Sequence, residues 1–169
     1  DGEDQSLQTG NFMWSHHAPA RCVEFEAVGD TQHFIAEHHG YERLADPVVH
    51  RREIMLDTHR QIIEVTDILR CEGEHDARRS WHFAEDCTVD RTGAGLKVIA
   101  GNTQVLFEPQ EDLAEVHVHR GGTAEQGGWV SRRFGHKVPS TTAHWHNRVR
   151  GPTTLRTRIT WTRSRGFGL

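Results

Sequence analysis

The residues best suited to chemistry lie in one short stretch, residues 38–52. It contains three histidines, three arginines and the only tyrosine of the chain. Arginine offers a forked pair of donors to a carboxylate or sulfate, and histidine offers a donor whose charge changes near neutral pH. The stretch therefore predicts either a site that binds an anionic group or a hydrogen-bonded structural corner. The candidate binding residues are His38, Tyr41, His50 and Arg52, although chemistry alone favours the corner.

Two strand-like runs must position these side chains. Residues 32–37 and 48–56 flank a connection that holds Gly40 and Pro47. A bend is expected there, because glycine accepts a positive φ and proline fixes its own φ and lacks a backbone donor. Alternate residues of a strand share a face, so His50 and Arg52 lie on the same side as Ile54. If that side faces the core, both polar side chains must be paired or must line a cleft.

Two His-x-His pairs, at residues 117–119 and 144–146, raise the question of a metal site. In a strand this spacing places both imidazoles on one face, within reach of one metal ion. A cupin-type site uses that geometry, but here the spacing to Glu125 is wrong and the glycine expected before the pair is absent. Exposed strand faces explain both pairs better, and metal binding is the minority hypothesis.

The five tryptophans are predicted to be core residues. Trp81, Trp129 and Trp161 sit among alternating apolar residues, and burial is also the favoured interpretation for Trp14 and Trp145. The sequence therefore predicts no sugar-stacking platform of exposed indoles.

Composition limits the classes of function. The chain has 169 residues, 35% hydrophobic residues and a net charge of −4, which suits one strand-rich domain and argues against a general nucleic-acid binder. The charge is uneven, since nine Lys or Arg residues and no Asp or Glu follow from Arg132 onward. A solvated strand face is the favoured explanation, and a surface for an anionic ligand is the second. No run of residues approaches transmembrane length.

Turn signals predict an all-β fold, an antiparallel β-sandwich with little or no helix that occupies residues 1–169 as one domain. About a dozen short strands are separated by glycine-rich turns, and no stretch keeps a helical period over three turns. The clearest hairpin joins residues 96–100 to residues 103–107 through Gly101 and Asn102. A second hairpin joins residues 48–56 to the apolar residues near 62–65.

Eight segments spread over nearly the whole chain carry a family resemblance. They are Asp1–Ser6, Phe12–Trp14, His38–Leu44, Pro47–Arg52, Val65–Asp67, Trp81–Phe83, Gly128–Gly135 and Pro152–Leu155. In this order they resemble the C-terminal region of heparinase II/III-like polysaccharide lyases. One departure is His39, where many relatives carry an aspartate before the Gly-Tyr pair.

The resemblance implies a large super-sandwich, of the type shared by lyase C-terminal and galactose mutarotase-like domains, preceded by a helical toroid. The implied reaction is β-elimination, in which a base removes the proton at C5 of a uronate and a tyrosine or histidine assists departure of the 4-linked sugar. Cationic groups neutralise the uronate carboxylate. The catalytic residues and a divalent metal, zinc, would belong to segments before Asp1, so no catalytic residue, metal ligand or cofactor is assigned in this chain.

The sequence thus predicts the sandwich portion of a lyase that acts on an acidic polysaccharide, truncated at its N-terminus and inactive on its own. The expected partners are that polysaccharide and the helical toroid, with no nucleic acid and no transmembrane segment. One alternative is a non-catalytic β-sandwich module that binds acidic glycan or scaffolds a neighbour. The other is a metal-dependent cupin-like enzyme.

Overall fold

The computed structural model describes residues 1–10, 12–111 and 116–163, which form fifteen β-strands and no helix. The strands are β1 (Leu7–Gly10), β2 (Met13–His16), β3 (Ala20–Val28), β4 (Thr31–Tyr41), β5 (Val48–Asp57), β6 (Ile62–Arg70), β7 (Glu74–His82), β8 (Thr88–Thr92), β9 (Gly95–Ala100), β10 (Thr103–Pro109), β11 (Val116–Arg120), β12 (Trp129–Arg133), β13 (His136–Pro139), β14 (Thr141–Arg150) and β15 (Thr153–Arg163). The predicted all-β class is confirmed. Within the described ranges, no helix exists that is long and apolar enough to cross a membrane.

The chain divides into two compact units, of which unit 1 comprises residues 1–77 and 148–157. In unit 1, strands β3 to β6 lie side by side in chain order, each antiparallel to the next, and β15 is the further neighbour of β6. Strands β1 and β2 form a separate hairpin. The buried apolar residues of this unit include Ile35, Val48, Val65, Val149 and Leu155. That residues 1–169 form one domain stays a prediction.

The β5–β6 hairpin forms as predicted, and its turn fixes the register of both strands. Asp57 pairs with Ile62, and the Asp57 carboxylate accepts a hydrogen bond from the backbone N–H of Arg60 at 2.8 Å. Gln61 adopts a positive φ of 58°, which closes the turn. Every later pair along the hairpin follows from this register.

The connection between β4 and β5 differs from the prediction in one respect. The chain does bend between Gly40 and Pro47, but β4 runs on through Gly40 to Tyr41, and Gly40 does not have a positive φ. A Cβ atom at Gly40 would lie 2.5 Å from Cβ of Ala18 and 2.6 Å from the carbonyl oxygen of Gln5. Glycine is therefore required by the close approach of another chain segment, and the expectation of a left-handed glycine was wrong.

Unit 2 comprises residues 78–147 and 158–169. One of its sheets has the order β15-β10-β9-β8, a second has the order β11-β14-β7, and β12 pairs with β13. The Phe107 ring on β10 contacts the rings of Trp81 and Phe83, with centroids 5.2 and 5.4 Å apart. The indole N–H of Trp145 donates to the carbonyl of Ala94 at 2.8 Å. These contacts pack the two sheets of this unit against each other.

Two tryptophans that were predicted to be buried are exposed. Trp14 is 47% exposed and Trp129 is 37% exposed, whereas Trp145 is a core residue at 1%. Both exposed indoles lie in two-stranded hairpins, β1–β2 and β12–β13. Such a hairpin offers too few neighbours to cover an indole, so alternation along a strand was a poor guide to burial here.

Candidate functional site

Strand register in unit 1 brings three of the four predicted site residues into one row. His38 on β4 stands opposite His50 on β5, and Arg52 on β5 stands opposite Asp67 on β6. Directly opposed residues and their i ± 2 neighbours point to the same side of a sheet. His38, His50, Arg52 and Asp67 therefore share one face, and we call these four residues the polar row.

A continuous chain of hydrogen bonds links the polar row. Nε2 of His38 lies 3.1 Å from Nδ1 of His50, and Nε2 of His50 lies 2.7 Å from the Asp67 carboxylate. Arg52 donates to both oxygens of that carboxylate, from Nε at 2.7 Å and from Nη2 at 3.1 Å. At the other end, the backbone N–H of Gly40 donates to Nδ1 of His38 at 3.3 Å. Of the two alternatives for His50 and Arg52, pairing or lining a cleft, the structure shows that both side chains are paired.

This geometry fixes the tautomer of both histidines. A carboxylate only accepts hydrogen bonds, so His50 donates to Asp67 from Nε2. A backbone N–H only donates, so Nδ1 of His38 accepts from Gly40 and Nε2 of His38 carries the proton that it donates to Nδ1 of His50. Every ring nitrogen of the row is used.

Electrostatics supports the same assignment. Burial favours the protonated form of Asp67, but the hydrogen bonds from His50 and Arg52 outweigh it and lower the pKa of Asp67 to about 2. Burial, followed by the nearby charges of His50 and His39, lowers the pKa of His38 to about 4. At neutral pH the negative charge of Asp67 is balanced by the positive charge of Arg52.

Arg52 is the one member of the polar row that still has a donor to offer. Its side chain is 42% exposed, while that of Asp67 is 5% exposed. Within the described ranges Nη1 of Arg52 has no hydrogen-bond partner. The row therefore holds the half-exposed guanidinium of Arg52 in one orientation. An anionic group can bind only to its outer edge, at Nη1.

Tyr41 lies beside the polar row and is linked to the corner of the fold. Its ring centroid is 5.5 Å from that of His38, and Cζ of Arg43 lies 6.0 Å from it. Arg43 also donates to the carbonyl of Gly40 and to the Glu3 carboxylate. These contacts tie an N-terminal segment to the end of β4, as the structural-corner hypothesis expects. The assignment of His38, Tyr41, His50 and Arg52 as substrate-binding residues stays a prediction.

Asp67 is the functional residue that sequence reasoning missed. The signal was present, since Asp67 interrupts the alternating apolar residues Ile63, Val65 and Leu69 on β6. Its partner followed from the predicted hairpin, because the register set by the turn at Asp57 places Asp67 opposite Arg52. A lone acid in an apolar row of a strand is a reason to look for its partner across the hairpin.

The opposite face of the same strands holds a second ionic cluster that the sequence did not reveal. Glu37 is 8% exposed, and its carboxylate contacts Arg21 at 2.9 Å, Arg70 at 3.3 Å and His39 at 3.5 Å. A buried carboxylate that is paired with two arginines and contacted by a histidine is a satisfied structural ion. Glu37 is therefore not available as a base.

The two His-x-His pairs lie on neighbouring strands of unit 2, and the expectation of an exposed strand face is wrong for His144, which is 5% exposed. His117 stands opposite His144 in the β11–β14 register, and the rings of His117 and His146 are 5.8 Å apart. His144 is buried and bonds to the Ser80 hydroxyl and the Gln126 carbonyl, each at 2.8 Å. In the part of the chain that the structure describes, no group of three His, Cys, Asp or Glu side chains could hold a metal ion. The divalent metal that the resemblance implies was placed outside these residues, and it stays a prediction.

Residues 1–162 match the family described as "Heparinase II/III-like, C-terminal". The chain belongs to this family. No curated protein matches it by sequence. The resemblance drawn from the sequence is confirmed, and the heparinase II/III-like C-terminal family now accounts for the order of the eight segments.

Solved structures similar to this heparinase II/III-like chain share its fold. A heparan sulfate lyase, HepC from Pedobacter heparinus, superposes with a TM-score of 0.69 at 12% identity, over 86% of this chain and 22% of that one. A heparinase III gene product gives 0.66 at 10% identity over 86% and 21%. Another heparinase III gives 0.65 at 14% over 87% and 21%. The predicted β-sandwich class is confirmed, and the chain spans about a fifth of the length of these proteins.

Proposed function

We propose that this chain is the β-sandwich portion of a polysaccharide lyase that cleaves a uronate-containing acidic polysaccharide by β-elimination. The observation that carries the proposal is the family match over residues 1–162. The similar structures are named as a heparan sulfate lyase and as heparinase III. Their fold alone does not determine a reaction, so the substrate class comes from the family and must be tested on this protein.

The chemistry of β-elimination assigns a limited part to these residues. A base must remove the proton at C5, and a cation must neutralise the neighbouring carboxylate. Both histidines of the polar row have all ring nitrogens engaged, so neither is available as the base. The part we assign to this chain is to line the sandwich side of the cleft, with Arg52 turned to the substrate carboxylate. Residues 1–169 alone are then without turnover.

Binding and melting, measured together, separate a substrate-binding residue from a structural one. We expect Arg52→Ala to weaken binding to immobilised heparan sulfate by about tenfold. The melting temperature should also fall, because the nearly buried Asp67 carboxylate loses its guanidinium partner and keeps only the hydrogen bond from His50. Arg60→Ala is the charge-matched control, because Arg60 is exposed in the β5–β6 turn of the same unit. Unchanged affinity of Arg52→Ala together with a large loss of melting temperature would assign the polar row to the corner alone.

A non-catalytic module that binds acidic glycan is the second candidate, and one observation favours it. Both histidines of the row are fully hydrogen-bonded, and the buried Glu37 is paired with Arg21 and Arg70. These groups stabilise a binding surface but supply no base. This candidate predicts glycan binding by the chain and no elimination product from the full natural gene product.

A further inference from the structure

We propose that the hairpin of β12 and β13, residues 129–139, is a second binding element for acidic polysaccharide. We call this hairpin the basic arm. The class of ligand rests on the proposed function, whereas the element itself lies in unit 2 and has no part in the polar row. Its projecting side chains combine unpaired cations with exposed aromatic rings.

The charge of the basic arm has one sign. Arg132, Arg133, His136 and Lys137 are all exposed, and residues 129–139 include no Asp or Glu. Arg132 already forms a salt bridge, in which its Nε and Nη2 donate to the Glu85 carboxylate at 3.1 and 2.8 Å.

Arg133 and Lys137 make no ion pair with any described residue. Arg52 is paired with Asp67, whereas these two cations have no acidic partner among the described residues. They therefore offer a polyanion the electrostatic attraction that Arg52 alone does not.

Aromatic side chains accompany these cations. Phe134 is 92% exposed at the tip of the hairpin, where Gly135, with φ 68°, completes the turn. Exposing a phenylalanine to this extent has a cost that a ligand can offset. Lys137 Nζ lies 4.2 Å from the ring centroid of the half-exposed Trp129. A sugar ring that carries an acidic group suits this combination, since its C–H face packs on an aromatic ring while the acid meets a cation.

The base of the arm is rigid, so binding costs little ordering. The backbone N–H of Gly128 donates to the Thr142 hydroxyl at 2.9 Å, and the carbonyl of Gly128 accepts from Gly121 and Ser140, each at 2.8 Å. Gly128 has a φ of 87°, and a Cβ there would lie 2.7 Å from the nitrogen of Gly121. The Trp129 indole donates to the Gly122 carbonyl at 2.9 Å. Preorganisation of this kind favours a binding element over a passive loop.

An anionic membrane surface is the competing occupant. It too would attract exposed cations and an exposed phenylalanine. Membrane attachment, however, draws on a broad apolar face and several basic residues, and the arm offers one fully exposed ring and two unpaired cations. The stacked Trp129–Lys137 pair favours a saccharide, so the membrane becomes an outcome of the test.

The test measures the affinity of residues 1–169 for immobilised heparan sulfate at low and at physiological salt. We expect the double variant Arg133→Gln with Lys137→Gln to bind about tenfold more weakly and to lose part of the salt dependence. Phe134→Ser should weaken binding by about threefold. The control, Arg150→Gln with Arg163→Gln, removes the same charge from exposed residues outside the arm and should bind as the parent does. Glutamine removes the charge and keeps a polar side chain, and all these sites are exposed, so the melting temperatures should agree.

Three results would overturn the inference. They are unchanged affinity of the arm variant, an equal loss in the control, and arm-dependent binding to anionic phospholipid vesicles without arm-dependent binding to heparan sulfate. The proposed function is judged separately. Loss of binding in Arg52→Ala with none in the arm variant rejects the arm and keeps the function. Loss in the arm variant, with no elimination product from the full natural gene product, keeps the arm and rejects the function.

Discussion

Asp67 is the residue on which the polar row depends. Its carboxylate accepts three hydrogen bonds from His50 and Arg52 and is almost completely buried. Replacing the charge with an amide removes one acceptor and leaves a donor facing His50 or Arg52. We expect Asp67→Asn to lower the free energy of unfolding by about 2–4 kcal/mol, measured by urea denaturation.

The matched control for this variant is Asp86→Asn. Asp86 is exposed in the connection between β7 and β8, so the same substitution there should change the free energy of unfolding by less than about 0.5 kcal/mol. A similarly small change for Asp67→Asn would mean that the carboxylate is not the anchor of the row.

His38 gives the protein a dependence of stability on pH with a definite sign. Its pKa is lowered to about 4 in the folded protein, against about 6.5 in an unfolded chain. Between these values the unfolded chain binds a proton that the folded chain does not, so stability falls as the pH drops from 6.5 to 4. We expect the free energy of unfolding of His38→Gln, measured by denaturant titration across this range, to change less steeply with pH than that of the parent. The difference in slope should correspond to at most one bound proton.

The Asp67 carboxylate makes the stability of the protein depend on pH in a separate, more acidic range. Asp67, whose pKa is lowered to about 2, contributes stability that is present above its unfolded pKa of about 3.9 and is lost as the pH falls through 2. The slope of the unfolding free energy against pH should therefore differ between Asp67→Asn and the parent below pH 4.

For His38→Gln, an unchanged slope of the unfolding free energy above pH 4 would contradict the neutral, fully bonded state of His38.

At the scale of elements, β4 is held in place through Gly40. A Cβ at this position meets a backbone oxygen of Gln5 and the Cβ of Ala18, and neither can move aside without shifting the main chain. We expect Gly40→Ala to destabilise the protein by about 1–3 kcal/mol and to loosen the corner at the end of β4. The measurement is thermal unfolding together with hydrogen exchange of the β4 amides.

Gly10→Ala is the control for this steric argument. Gly10 has no positive φ, and the nearest atom to an added Cβ is the mobile end of the exposed Met13 side chain at 3.0 Å. The change in stability should be less than about 1 kcal/mol. Equal effects at Gly10 and Gly40 would assign the cost to backbone flexibility and not to crowding.

What the sequence could predict was local. The turn at Gly101 and Asn102 and the turn after Asp57 both follow from residues a few positions apart, and the hairpins formed as expected. That register also implied the pairing of Arg52 with Asp67. The contact of His38 with His50 depends on how β4 joins β5 across an irregular register and a six-residue connection. Patterns of neighbouring residues do not determine the register across such a connection.

Burial in short hairpins was equally beyond local patterns. Trp129 alternates with apolar residues as a core residue does, yet no second layer covers the hairpin enough to bury it. The crowding at Gly40 comes from residues about 20 to 35 positions earlier in the chain. In both cases the deciding contact is distant in sequence, and only the folded structure reveals it.

At the scale of the whole molecule, the proposed function places binding in these residues and proton transfer in residues outside them. The polar row is saturated with hydrogen bonds, and the basic arm offers cations and aromatic rings. Under this proposal, elimination requires the full natural gene product, whereas affinity for acidic polysaccharide does not.

The most direct test is the ultraviolet absorbance of the unsaturated product released from heparan sulfate and related uronate polysaccharides. Residues 1–169 and the full natural gene product are assayed side by side at equal concentration. We expect steady product formation by the full gene product and none by residues 1–169. Turnover by residues 1–169 alone, or its absence from the full gene product on every uronate polysaccharide tested, would contradict this expectation.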